Sequence, residues 1–122
     1  MDRKQISKAV AAAVLGVASL VPAAFAGDIA GPGCVNEQVL VNRTDVFRVV
    51  FEGGEPALVN IRGDGDTDLD LEIRDENGRR VCSADGLTDQ ESCRWMPAST
   101  GEYQIRVQNL GEVYNNYRIC TN

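Results

Sequence analysis

The sequence predicts an all-β protein built as an antiparallel β-sandwich of seven or eight short strands. Three observations carry this expectation. Apolar residues recur at every second position in short runs from Val39 to the C-terminus, the pattern of half-buried strands. Gly-, Pro-, Asn- and Asp-rich breakers separate these runs at about eight-to-twelve-residue intervals. Beyond the N-terminal segment nothing follows the helical period. Short alternating strands of this kind bury their apolar faces by packing two sheets together; a closed barrel is the main alternative.

The first segment is of another kind. A basic leader at Arg3, Lys4 and Lys8 precedes a run of small apolar residues, and Ala24-Phe25-Ala26 fits the small-x-small rule for signal peptidase. Residues 1–26 are therefore expected to be a secretory signal peptide. The run Ala9–Val21 is shorter than the roughly 20 residues a membrane-spanning helix needs. Residues 27–36, with Gly31-Pro32-Gly33, read as a flexible lead-in, and residues 37–122 as one domain.

Within the domain, Val39-Leu40-Val41 is a short strand. Asp45–Phe51 is stronger, with Phe47, Val49 and Phe51 on one face. Ala57–Arg62 points Ala57, Val59 and Ile61 inward. After the turn Gly63-Asp64-Gly65-Asp66, the strand Asp68–Arg74 sets Leu69, Leu71 and Ile73 against Asp68, Asp70 and Glu72. Asp75-Glu76-Asn77-Gly78 is a hairpin turn, because Asn-Gly supplies left-handed backbone. Arg79–Ala84 returns, and Asp85–Gln90 is a polar loop. Glu91–Met96 carries Cys93 and Trp95 on one face. Glu102–Gln108 alternates most cleanly, with Tyr103, Ile105 and Val107 inward. Val113–Cys120 closes the domain with Tyr117 and Ile119.

Charge and residue inventory narrow the function. After residue 26 the chain holds nine Arg, no Lys and 17 acids, a net charge near −8. That balance argues against nucleic acid or anionic membrane as partners. The chain has no His, so Ser83, Ser92 and Ser99 lack the usual base, and a non-enzymatic protein is expected. Four cysteines in an exported chain read as two disulfides. Three connectivities are open. The expected one pairs Cys82–Cys93, close in sequence, and Cys34–Cys120, which clips the domain ends. These closures are worth about 3 and 4.5 kcal/mol in a chain-entropy account. Without His or Cys-x-x-Cys, zinc is not expected.

Taken together, several motifs resemble the bacterial pre-peptidase C-terminal domain. The strand Val59–Arg62 runs into the Gly/Asp turn and Asp68-Leu69-Asp70-Leu71, followed by the Asx-Gly turn and Val81. Gly101-Glu102-Tyr103-Gln104-Ile105-Arg106-Val107 resembles that family's Gly-x-Tyr-x-x-x-Val, and Tyr114–Ile119 its final strand. The resemblance spans about residues 45 to 120. It implies a jelly-roll sandwich, usually appended to secreted peptidases and similar to the collagen-binding modules of bacterial collagenases, some of which bind calcium. No peptidase is expected ahead of the domain here, and the four cysteines depart from the family pattern, so its own role stays open.

Asp64, Asp66 and Asp68 are spaced like the first ligands of a calcium loop. The loop is not an EF-hand, since Leu69 stands where Gly is required and Asp75 where Glu is expected. Two roles fit: a calcium site in a β context, or an acidic turn whose carboxylates cap backbone N–H groups. The capped turn is expected, with calcium as its alternative and Arg62 and Arg74 as candidates to screen the acids. Trp95, Tyr103 and Tyr117 belong to the core pattern, with Trp95 beside the Cys93 disulfide, whereas Tyr114 faces solvent. The resulting expectation is an exported, periplasmic or extracellular binding or accessory module for a protein or polysaccharide ligand. The alternative is a disulfide-braced inhibitor or protein-interaction module that uses loops such as Asp85–Gln90.

Overall fold

The computed structural model describes the backbone of residues 24–28 and all of residues 33–122. The leader and apolar run of the expected signal peptide, and residues 29–32 of the lead-in, lie outside the described residues. The strands are β1 (Ala24–Asp28), β2 (Gly33–Val39), β3 (Thr44–Phe51), β4 (Ala57–Arg62), β5 (Leu69–Arg74), β6 (Arg80–Ala84), β7 (Gln90–Trp95), β8 (Gly101–Asn109) and β9 (Asn115–Thr121). They form a sheet in the order β1-β3-β8-β5-β6 and a second in the order β2-β9-β4-β7. The eight strands from β2 onward pair antiparallel, while β1 lies parallel to β3 along the sheet edge.

Period-two alternation builds the core. Phe47, Val49 and Phe51 of β3, Leu69, Leu71 and Ile73 of β5, and Tyr103, Ile105 and Val107 of β8 face inward from the first sheet. Ala57, Val59 and Ile61 of β4, Cys93 of β7, and Tyr117 and Ile119 of β9 face them from the second. Each fully buried aliphatic or aromatic side chain contributes about 1.5–3 kcal/mol. Phe51, Trp95 and Tyr103 form an aromatic cluster between the sheets, with Trp95 centred 4.9 Å from Phe51 and 5.4 Å from Tyr103. Trp95 is thus half-buried core, as its place in the alternation implies.

Both expected disulfides are present, Cys34–Cys120 and Cys82–Cys93. The first joins residues directly opposite each other on β2 and β9. The second ties β6 to β7, the last strands of the two sheets on one side. The Asp75–Gly78 hairpin forms as its residues dictate. Gly78 has φ 83°, and the Asp75 carboxylate accepts from the N–H groups of Asn77 and Arg79, both at 2.9 Å.

Two expectations are corrected. The lead-in does not run to residue 36, because β2 begins at Gly33 and pairs with β9 along its whole length. The expected strand Val39–Val41 instead ends at Val39. Residues 40–43 form a turn closed by Arg43 N–H on Leu40 O at 3.1 Å, with Asn42 at φ 58°. The Cys34–Cys120 bridge and the β9 edge outweigh the weak local preference of a Gly-rich segment, and the chain must then reverse to enter β3.

Candidate cation site at the β5–β7 edge

The Gly/Asp turn packs onto a buried polar network. Gly63 N–H donates to Asp89 O at 2.9 Å. Asp89 is buried, and its Oδ2 accepts from Gly65 N–H at 2.6 Å and from Asn115 Nδ2 at 3.0 Å. The buried Asn115 amide oxygen accepts from Asp64 N–H at 3.3 Å. Gly63 has to be glycine here, because a Cβ would overlap both the Asp89 carboxylate and the Asn115 amide.

This packing employs Asp64 as a cap. One carboxylate oxygen accepts from Asp66 N–H at 3.2 Å, the other from Asn116 N–H at 2.9 Å. Asp66 itself is exposed. Nor does Arg74 screen the turn, since its guanidinium is held by Glu72 at 2.9 Å.

Asp68 turns the other way. It meets Asp70 of β5 and Glu91 of β7, and one carboxylate oxygen from each lies within 4.8 Å of the others. Among the described residues this is the one such group of three acids or metal-ligating side chains. Asp68 Oδ1, Asp70 Oδ1 and Glu91 Oε2 are buried atoms with no hydrogen-bond partner. Burial first, then the charges of Asp68 and Asp85, push the Asp70 carboxyl above its ordinary range. Glu91 is likewise raised, by burial first and then by Asp70, Asp68 and Asp85, against an opposing hydrogen bond from Gly86 N–H.

The geometry follows from the edge crossing. β6 pairs with β5 from Leu71 on, so the N-terminal end of β5 has no β6 neighbour. The chain leaves β6 there and crosses to β7, where Leu69 N–H donates to Thr88 O at 3.2 Å. Glu91 lies opposite the buried Ile61 and so takes the inward face of β7. The sequence signal for Glu91 was its place two residues before Cys93 and four before Trp95, which puts an acid on an apolar face. Hard carboxylate oxygens without thiol or imidazole suit a cation such as calcium, or else retain a proton.

A second feature lies at the end of the sandwich bearing the Gly/Asp turn. The buried Asn109 donates its amide to Val39 O at 3.2 Å and to Val113 O at 2.8 Å. It thereby staples the 40–43 and 110–114 loops together. Leu40, Val41, Leu110, Val113 and Tyr114 are exposed on these two loops.

No family model matches the chain, and no curated protein matches it in sequence. Solved structures match it in fold. The pre-peptidase C-terminal domain of a collagenase from Bacillus anthracis superposes with a TM-score of 0.69 at 10% identity, covering 83% of this chain and 97% of that one. PliG of Aeromonas hydrophila, a periplasmic inhibitor of g-type lysozyme, gives 0.58 at 14% identity, covering 78% and 96%. CorA, a surface-associated copper-binding protein of Methylomicrobium album BG8, gives 0.63 at 7% identity, covering 78% and 96%. The chain therefore has the fold of the pre-peptidase C-terminal domain, in agreement with the motif resemblance.

Proposed function

We propose that this protein is a small exported β-sandwich that works without catalysis, as a binding or accessory module braced by calcium. Residues 1–26 act as its signal peptide, so that cleavage takes Ala24–Ala26 of β1 off the sheet edge, and the folded domain resides in the periplasm or outside the cell. The two disulfides support an oxidising compartment. The calcium reading rests on one observation, the three buried and unpartnered carboxylate oxygens of Asp68, Asp70 and Glu91. In this reading Asp68 is the member of the Asp64-Asp66-Asp68 series that binds the ion. Asp64 serves the turn, and the other ligands come from β5 and β7.

Thermal melting in calcium and in chelator tests this. Calcium at about a hundred times its dissociation constant adds about 2.7 kcal/mol, which raises the melting temperature by roughly 10 °C or more in a domain of this size. Glu91→Gln should abolish the shift and Asp66→Asn should leave it intact. The opposite result would move the site to the Gly/Asp turn, and no shift at millimolar calcium would remove it.

A second reading, a protein-interaction or inhibitor module, is supported by the exposed apolar set on the 40–43 and 110–114 loops. Within the 85–90 loop Leu87 is 91% exposed, while Asp89 is consumed internally. A lysis assay with g-type lysozyme tests one form of it. Inhibition relieved by Tyr114→Ser favours this reading, and unimpaired lysis counts against that form.

A further inference from the structure

The outer face of the five-stranded sheet carries a groove of about 340 Å3 that lies away from the loop end and shares Asp70 alone with the acid cluster. Its lining is set by register. On β5 the residues Asp70, Glu72 and Arg74 point outward together. Glu72 lies opposite Arg106 of β8, and Arg74 lies opposite Arg80 of β6. Like charges directly opposite on neighbouring strands are unfavourable, so Arg74 and Arg80 depend on a nearby anion.

Glu72 is that anion, and it serves three cations at once. It is 2.9 Å from Arg74 Nε, 3.4 Å from Arg106 Nε and 3.5 Å from Arg80 Nη1. One carboxylate against three guanidiniums leaves two positive charges without a partner in this cluster. In a chain of net charge −6 this is a local reversal of sign. Each guanidinium has five N–H donors, and the contacts to Glu72 use one or two of them. The Arg80 side chain is 63% exposed and open to an incoming ligand.

The other end of the groove has the opposite character. Asp70 and Asp85 line it, with Ser83 and Gln108 beside them. A ligand that fits therefore presents a carboxylate at one end and hydroxyl donors at the other. Sugar acids carry both groups on one ring. An acidic peptide would satisfy the arginines but lacks the ring hydroxyls that Asp70, Asp85, Ser83 and Gln108 are placed to hold.

We propose that this groove binds a carboxylated oligosaccharide, with Arg74, Arg80 and Arg106 taking the carboxylate and Asp70 and Asp85 accepting from ring hydroxyls. The proposal rests on the binding-module reading and names its ligand class. Planar guanidiniums recognise carboxylates through paired N–H donors, and the partial neutralisation by Glu72 keeps the site from binding every anion tightly.

The test is titration of the full protein with trigalacturonic acid, followed by calorimetry and by the arginine Nε–H NMR signals, in chelator so that the calcium site plays no part. Saturable binding with shifts at Arg74, Arg80 and Arg106 is expected. Arg80→Gln should weaken it about tenfold, the loss of one charged hydrogen-bonding partner, whereas Glu72→Gln should tighten it by releasing the arginines. Arg94→Gln, on β7 of the other sheet, should leave it unchanged. No binding at millimolar ligand, or equal affinity in Arg80→Gln, overturns the proposal. Tighter binding of triglutamate than of trigalacturonate replaces the sugar with an acidic peptide. Because calcium stabilisation is read separately by melting, a failed titration leaves that reading intact.

Discussion

Tyr117 donates its phenolic hydrogen to Asp45 Oδ2 at 2.6 Å, inside the sandwich and from one sheet to the other. Burial first, then the negative charge of Asp45, drive the Tyr117 hydroxyl far above its ordinary value. It stays a neutral donor to a buried carboxylate throughout the accessible pH range. Tyr117→Phe should cost about 2 kcal/mol, the scale of a hydrogen bond to a charged group, and lower the melting temperature by roughly 10 °C. Asp45→Asn keeps an acceptor and should cost less. Urea denaturation of the two variants checks the order.

The Gly/Asp turn gives a prediction that separates space from backbone conformation. Gly63→Ala forces a Cβ into the Asp89–Asn115 pair and should destabilise by about 3 kcal/mol, as overpacking of a tight interior does. At Gly65 the space is open but φ is 90°, so Gly65→Ala should cost only about 1–2 kcal/mol. If chemical denaturation shows the two substitutions to be equal, the network under Gly63 is not as tight as described.

The acid cluster predicts an unusual pH response. Asp70 and Glu91 are raised in the folded state, so they bind protons more tightly folded than unfolded. Their contribution is fully favourable below the ordinary carboxylate range and is lost as pH rises through their raised folded values. In chelator the melting temperature should therefore increase as pH falls through these raised values toward the ordinary carboxylate range. Asp75 acts in the opposite sense. Its carboxyl is lowered by the N–H of Arg79 first and by that of Asn77, so its stabilisation disappears only as pH falls through that lowered value. Asp70→Asn should flatten that rise, measured by differential scanning calorimetry across the acid range.

The disulfides should differ in weight. Cys34–Cys120 closes a separation of 86 residues and Cys82–Cys93 one of 11. Replacing each pair by Ser should cost about 4.5 and 3 kcal/mol respectively, by loop-closure entropy. Guanidinium unfolding of the two double variants gives the order, and a thiol assay of the oxidised protein should find no free Cys.

Much of the fold was legible because it depends on period. Phe47-Val49-Phe51, Leu69-Leu71-Ile73 and Tyr103-Ile105-Val107 each alternate against polar neighbours, and a one-residue slip would expose all three sets. The disulfide pairing was also legible, since two cysteines lay at the domain ends and two lay close together in sequence, although these two bridge β6 and β7 across the sheets rather than within one hairpin. β2 was less so: Gly33–Val39 shows little alternation and becomes a strand because β9 and Cys120 hold it.

The sequence by itself determined an acidic, histidine-free β-sandwich with two bridges, because composition and alternation act locally along the chain. It also marked Asp68 as a candidate ligand. Only the tertiary structure decided which acids share a space. Asp64 and Asp66 are near Asp68 in sequence, yet Asp64 is taken up by backbone N–H groups and Asp66 faces solvent. Glu91 lies 23 residues from Asp68 and reaches it only because the chain crosses from β6 to β7 around the sheet edge. The same is true of the arginines around Glu72, whose meeting depends on the register of three strands. Proximity across strands is set by hydrogen-bond register and sheet order, which residue spacing along one strand does not encode.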